Sequence, residues 1–541
     1  MVYKTKGKSL IMNIKNNFNK IKYYYRRYGF FETLKKVLKR FFHIKENRKT
    51  NKEEYDIWIK NNEPDKEELE KQRNITFKFN PKISIITPMY NTDEKFFKEL
   101  VECLNNQTYS NWELCLADGS EKENDKLLEI INKSDKIIYK FLGINKGISD
   151  NTNEAIKLAT GDYLGFLDHD DLLPEDCLYE IVKCINENEG VDFIYTDEDK
   201  IDEIEERFEP YFKPDYSPQT LECNNYITHF VIIKKELQKE IGFLNSDFNG
   251  AQDFDLNLRA TEKARKIVHI PKVLYHWRVH KSSTANVADS KPYAYEAGVK
   301  VIEEHINRVG KKAKVEFGQD VPGIYRIKYE IIGSPKVSIL IPNKDNINLL
   351  ENCINSILNL TTYNNYEIVI IENNSEKKET FDYYKTLIQN HKIKILNYNK
   401  NTLIDFSGES KTKFTNTNDI KEFNYSSLIN FGVKNVDGDY ILQLNNDTKL
   451  ISKDWLETFI GYAQNKDIGA AGARLYYEDK SIQHAGIIIG LSGIAGNSLV
   501  NLPYGKHCYF GRESATRNVS AVTGACLFAR RDVYEEVRIY G

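Results

Sequence analysis

PKISIITPMYN, residues 81–91, returns as PKVSILIPNKD at residues 335–345, an offset of 254. WELCLAD at Trp112 and YEIVIIE at Tyr366 keep that offset, and GDYLGFLDHDD at Gly161 meets GDYILQLNNDT at Gly438 with the offset grown to 277. The added residues fall in the polar stretch 401–424, which reads as a loop insertion. A period this long marks a domain written twice, not a solenoid. In the first copy ISIIT, WELCLA and DYLGFL read as strands, and FFKELVECL and NTNEAIKLA as helices. Such alternation predicts βαβ units in a mostly parallel, doubly wound α/β sheet. Ligands of these sheets sit outside the carboxyl ends of the strands. Asn91, Asp118 and Asp168, each at the end of a predicted strand, are therefore expected on one rim.

The bulk numbers fit this plan. A chain of 541 residues holds two to three domains with ample apolar content. The reading divides it into a basic helical segment (1–80), a first domain (81–330) and a second (331–541). The net charge of −3 gives no reason to expect a nucleic-acid partner. Residues 1–50, however, carry fifteen Lys/Arg against two Glu. Within them, residues 14–45 place apolar and aromatic side chains at helical spacing, the composition of a helix lying on an anionic membrane surface. A basic helix packed on the protein, or loose in solution, fits as well. The eight cysteines form no C-x-x-C pair, which argues against a zinc site or disulfide framework and fits a reducing compartment. No apolar run approaches the ~18 residues of a membrane span, and the basic N-terminus lacks a signal peptide's apolar core. The expected location is cytoplasmic, with peripheral contact at the inner face of the membrane as an option.

GDYLGFLDHDD ends an apolar strand in three carboxylates. If strand geometry persists, Asp168 and Asp170 share a face. Mg²⁺ or Mn²⁺ binds one or two carboxylates while phosphate oxygens complete its shell, so the pair suits a diphosphate-bearing substrate. The bland alternative is a helix cap near Leu173–Pro174, a task expected of Asp171. Neither G-x-G-x-x-G nor G-x-x-x-x-G-K-[ST] follows the first strand, which counts against dinucleotide and P-loop binding.

ISIITPMYN, WELCLADGS and NKGISDNTNEAIKLATGDYLGFLDHDDLL resemble the nucleotide-binding half of family 2 glycosyltransferases of the GT-A fold. YTDEDKI (Tyr195), FKPDYSPQTLECNNYITH (Phe212), GAQDFDLNLRATE (Gly250) and YHWRVHKSSTA (Tyr275) resemble the acceptor half. The likeness covers roughly residues 55–540 and is to bacterial enzymes of surface-polysaccharide synthesis, often with two such domains in tandem. It implies that Pro88, Tyr90 and Asn91 border the nucleotide and that Asp118 accepts a hydrogen bond from the base. Asn145 and Gly147 would lie near ribose and phosphates, with Asp168 at ribose or metal-bound water. Asp170 and His280 would bind Mn²⁺ or Mg²⁺, and Trp277 would stack on the acceptor sugar. Each has a structural alternative: a turn for Asp118, Asn145 and Gly147, a surface imidazole for His280, a core ring for Trp277.

The resemblance further implies an inverting single displacement. It would take a sugar from a UDP- or dTDP-sugar donor to a glycan or lipid-linked glycan acceptor, with Asp253 as general base. The family's E-D is Q-D here; Asp255 is the fallback, although at i+2 on a helix it should point elsewhere. In the second copy Glu372 replaces Asp118, Asn445 replaces Asp168, and Asp447 matches Asp170. Aligning Thr228 with Thr523 puts the counterpart of Asp253 near position ~548, so the second domain is expected to be C-terminally incomplete and inactive as given. GIIIGLSGIAG (Gly486) reads as strand and turn. A nucleotide-sugar or glycan binding module without catalysis is the alternative, above all for the second copy. A nucleotidyltransferase is a third reading, disfavoured because TPMYN stands where a Gly/Arg/Lys-rich loop would be.

Overall fold

The computed structural model describes residues 52–280, 292–318, 321–399, 402–404, 424–491 and 493–537. The basic stretch 14–45 and most of the insertion 401–424 lie outside them.

The first unit is one eight-stranded sheet: β1 (Ile83–Met89), β2 (Trp112–Asp118), β3 (Ile137–Phe141), β4 (Tyr163–Phe166), β5 (Phe193–Ile201), β6 (Arg207–Tyr211), β7 (Val231–Lys234) and β8 (Ile267–Arg278). The order is β3-β2-β1-β4-β7-β5-β6, with β8 also paired to β5. The four strands β3-β2-β1-β4 are parallel, and so are β5 and β8; β7 runs antiparallel between β4 and β5. Every residue of β1 is buried. Ile83 and Ile85 face one cluster with Phe97, Leu100 and Leu104 of the helix Glu94–Asn105 and Ile181 of Cys177–Glu187. Ile86 faces the other, with Ile156, Leu256 and Val301. A strand covered on both sides needs an unbroken apolar run, and each such side chain contributes about 1.5–3 kcal/mol on burial.

The second unit repeats the register. Strands β11 (Val337–Asn343), β12 (Tyr366–Glu372), β13 (Ile393–Asn397) and β15 (Tyr440–Leu444) follow the small hairpin of β9 (Ala313–Phe317) and β10 (Tyr325–Tyr329), with a two-residue β14 (Thr402–Leu403) at the edge. Ile83 pairs with Trp112 and Tyr163, and Val337 pairs with Tyr366 and Tyr440. A polar knot at the base of each sheet is duplicated too. Ser84 Oγ donates to Glu113 at 2.6 Å and Ser338 Oγ to Glu367 at 2.7 Å. Lys82 and Lys336 pair with the same two carboxylates. Burial opposes ionisation of Glu113, but Lys82, Ser84 and Thr160 hold its carboxyl down to about 2. Glycine is required above each knot: a Cβ on Gly161 would lie 2.5 Å from the Lys82 carbonyl, and one on Gly438 2.5 Å from Ser338 Oγ.

Residues 52–80 pack on the first unit. Tyr55 of the helix over 52–62 donates to Asp199 at 2.6 Å, and Arg207 reaches Glu63 at 2.7 Å. The two units meet through the helix Pro218–Cys223, where Asn518 accepts from Gln219 N at 3.1 Å and donates to Gln219 Oε1 at 2.7 Å. Among the described residues, no helix is long and apolar enough to cross a membrane.

Candidate active site

β2, β1 and β4 are adjacent and parallel, so their carboxyl ends form one rim. Asp118 closes β2, Asn91 lies two residues past β1, and Asp168 two past β4. Strand geometry does not persist to Asp170. β4 stops at Phe166, and the chain turns, Asp171 N bonding Asp168 O at 3.2 Å. Nor does Asp171 cap a helix: the next one begins at Cys177 behind Asp176. Asp171 is buried, accepting from Arg278 N at 2.7 Å and from the Tyr275 hydroxyl. A buried carboxylate must be hydrogen-bonded, and here the bonds fasten the acidic turn to β8.

That fastening decides the site. Leu172 and His276 exchange backbone hydrogen bonds of 3.2 and 2.9 Å, and Arg278 Nε donates to the Asp170 carbonyl at 2.7 Å. The fully buried Arg278 is balanced by Glu99 at 2.7 Å. With β8 so held, His280 Nε2 stands 2.8 Å from Asp170 Oδ2, although 110 residues separate them. A carboxylate oxygen and an imidazole nitrogen converging on one point fit Mn²⁺, which accepts both donor types, better than Mg²⁺. Among the described residues no third His, Cys, Asp or Glu joins them. Such a site would leave most coordination positions to a substrate's oxygens.

Asp168 is exposed in the cleft, yet crowded by protein. Removal from bulk water, then the charge of Asp170, pushes its carboxyl above the usual range, against the pull of His229. Asp253 is near enough to add to that push. It lies in the first turn of the helix Gln252–Lys263, not at its cap, which is Ala251. Asn225 Nδ2 donates to Asp253 Oδ2 at 2.8 Å, and Asn257 in turn holds Asn225 Oδ1 at 3.2 Å. Asp255 is buried in an ion pair with Arg259 at 2.7 Å and points away. Trp277 is half-buried, 5.8 Å from the His229 ring and beneath Lys200 Nζ.

On the nucleotide side, Pro88 is buried within β1 and Tyr90 is exposed. Asn91 has φ of 48° and bonds Ser120 Oγ through its backbone N–H at 2.9 Å. Asp118 is buried, accepting from Ser120 N at 2.9 Å and the Tyr139 hydroxyl at 3.2 Å. It forms the turn, as the structural alternative required. Asn145 Oδ1 accepts from Gly147 N at 2.9 Å; Gly147, at φ of 96°, occupies backbone space that L side chains rarely enter.

Residues 84–242 and 338–404 match the Glycosyl transferase family 2 model. The chain belongs to that family. It is 38% identical over 465 residues to an uncharacterized protein of Sinorhizobium fredii, covering 84% of this chain and 49% of that one. It is 31% identical over 488 residues to the O-antigen biosynthesis protein RfbC of Myxococcus xanthus, covering 90% and 36%. Chondroitin synthase of Escherichia coli is 28% identical over 245 residues, 45% of this chain and 35% of that one. The chain thus spans about half the length of the first relative and about a third of the second.

The rim of the second family 2 unit is built differently. Glu372 is buried, binding Ser375 Oγ at 2.7 Å and the Tyr384 hydroxyl at 2.6 Å. Asn446 Nδ2 donates to Asn343 Oδ1 at 2.7 Å, and Asn445 bonds Ala525 through its backbone at 3.0 Å. Asn445 stands where the first unit has Asp168, while Glu372 and Asp447 keep acids at the places of Asp118 and Asp170. GIIIGLSGIAG forms an antiparallel hairpin, Ile487–Ile489 with Ala495–Asn497.

Several residues at the first site escaped the sequence reading. Glu198 is buried and accepts from Lys213 at 2.9 Å, Thr228 Oγ1 at 2.7 Å and His229 N at 3.0 Å. His229 lies flat on Tyr275, ring centroids 4.6 Å apart, with Nδ1 3.3 Å from Glu198. Burial lowers the His229 pKa, but Glu198, then Asp168 and Asp171, raise it to about 9. Since the folded value exceeds the unfolded one of ~6.5, His229 stabilises fully below that pH, and the gain disappears as pH rises through 9. The melting temperature of the first unit should fall between about pH 6.5 and 9, and His229→Gln should flatten that fall. An unchanged slope in the variant would assign the dependence to another group.

Proposed function

We propose that the first unit transfers a sugar from a nucleotide-sugar donor to a hydroxyl of a glycan acceptor. Transfer would proceed with inversion and a divalent metal, in the assembly of a bacterial surface polysaccharide. One observation carries this reading. Asp168, the Asp170–His280 pair and Asp253 come from three distant stretches of chain and meet at the carboxyl rim of a single sheet. Family membership and the likeness to the O-antigen biosynthesis protein of Myxococcus xanthus support it.

In this scheme Asp170 and His280 hold Mn²⁺, with Mg²⁺ the weaker fit. The ion would supply Lewis-acid neutralisation of charge on the departing nucleoside diphosphate. Pro88, Tyr90, Asn91, Asp118, Asn145 and Gly147 border the nucleotide, and Asp168 faces the ribose. Trp277 would stack on the acceptor sugar. Asp253 takes the proton of the acceptor hydroxyl as that oxygen bonds the anomeric carbon and the bond to the diphosphate breaks. Asn225 fixes the direction of its carboxylate. For the second unit we favour binding of nucleotide-sugar or glycan without transfer, because Asn445 stands where the first unit has Asp168 and one carboxylate of the pair is lost.

A thermal-shift screen of UDP-, dTDP- and GDP-sugars tests this. A donor that binds the folded state stabilises it by RT ln(1 + [L]/Kd), about 2.7 kcal/mol at a hundredfold excess over Kd. The right donor should raise the melting temperature with Mn²⁺ present and lose that effect in EDTA. No shift from any nucleotide-sugar, or shifts indifferent to chelation, would overturn the metal-dependent assignment.

A further inference from the structure

A second cavity lies away from the acidic rim. It encloses about 600 Å³ against the second unit's helix Trp455–Ala463 and the segments 467–474 and 512–522, and Gln219 of the first unit reaches into its wall. That size is typical of small-ligand sites. Three arginines, Arg474, Arg512 and Arg517, line it. None forms an ion pair with a carboxylate among the described residues. Arg474 and Arg517 spend one nitrogen each on carbonyls, of Glu513 and Ala485, and Arg512 reaches the Phe212 carbonyl of the first unit. The two acids of the lining offset this charge only in part, through the pull of Glu513 on Arg517. Glu513 is turned to His507 at 2.8 Å and Cys508 N at 3.1 Å, and Asp467 is exposed and unpaired to any of the three. His484 Nε2 accepts from Gly486 N at 3.2 Å while Nδ1 faces Asn497 Oδ1 at 2.8 Å.

We infer that this cavity binds an oxyanion, a phosphate or a carboxylate, gripped by Arg474 and Arg517 with Arg512 at the seam between the units. Guanidinium forks match both groups with paired, charge-assisted hydrogen bonds. Burial, then the Arg512 and Arg474 charges, depress the Arg517 pKa against a weaker pull from Cys508 and Glu513, a repulsion among the arginines that an anion would relieve. Such a ligand could be the diphosphate head of a lipid-linked glycan or a uronate residue within a glycan. The site is independent of the reading given for the first unit.

Calorimetric titration of the full chain, in EDTA so that the acidic rim holds no metal, distinguishes the sources. Pyrophosphate and a glucuronate tetrasaccharide serve as probes. Binding of pyrophosphate alone assigns a phosphate ligand, and binding of the saccharide alone a carboxylate ligand. Arg517→Gln and Arg474→Gln should each weaken the active probe about tenfold, the loss of one charge-assisted contact. Arg474→Lys, which keeps the charge and the fold, should weaken it several-fold by losing the fork. No heat from either probe up to about 10 mM, affinities weaker than about −2.7 kcal/mol, overturns the inference. So does binding that survives both glutamine substitutions in a protein of unchanged melting temperature.

Discussion

Asp253→Asn is expected to lower sugar transfer by about 10² or more while donor affinity stays within a few-fold of the parent, since a positioned general base contributes ~10²–10⁴. The isosteric amide can still meet Asn225, which donates at 2.8 Å, if it turns its oxygen towards that Nδ2. The helix Gln252–Lys263 therefore has no reason to move, and the loss would be chemical. Asn cannot take a proton from the acceptor hydroxyl at neutral pH, so the deficit should appear in kcat and equally in kcat/KM. Asn225→Ala is a useful companion. It leaves the carboxylate in place but frees its rotamer, so a smaller loss in kcat is expected, without change in metal dependence. Near-normal turnover by Asp253→Asn would remove it as base. Asp255 would not inherit the role, because its carboxylate is buried against Arg259.

The architecture was legible because it rests on local patterns. A strand buried on both faces must be a continuous apolar run, and the same runs recur at a fixed offset, so strands β1, β2 and β4 and their counterparts could be read directly. The rim followed from topology, and the question of why three acids follow β4 arose from the sequence alone. Its solution was not legible in full. Asp171 looked like a cap because Leu173–Pro174 follows it, but the partners that bury it, Tyr275 and Arg278, lie more than 100 residues away. Likewise the i, i+2 argument for Asp168 and Asp170 assumed an extended chain where the backbone turns. Asn225 stood in a quoted stretch without any local mark of its role, since its bond to Asp253 spans 28 residues. Long-range polar pairing leaves no periodicity for a sequence reading to find.

The same blindness hid the residue whose loss should be most damaging to stability. Lys213, in the FKPDYSP stretch, has a side chain with no solvent exposure. Its ammonium donates to Glu198 at 2.9 Å, to the Ile227 carbonyl at 2.6 Å and to the His229 carbonyl, tying the chain that enters β7. Burial lowers its pKa and Glu198 pulls it back. Lys213→Met keeps the stem's packing but strands a buried carboxylate and two carbonyls. Breaking a buried ion pair on one side costs about 3–5 kcal/mol. In a unit of this size that corresponds to a drop of roughly 10 °C in the first unit's melting transition. The two units need not melt together, so the transition must be assigned, for example by protease cuts within each unit. Glu198→Gln in the Lys213→Met background removes the stranded charge. The double variant should therefore be more stable than the sum of the single losses, with a coupling of about 1–3 kcal/mol. Strict additivity, or a Lys213→Met protein melting within about 2 °C of the parent, a shift worth only ~1 kcal/mol, would mean that solvent reaches the pair. The cleft beside His229 would then be wetter than its packing implies.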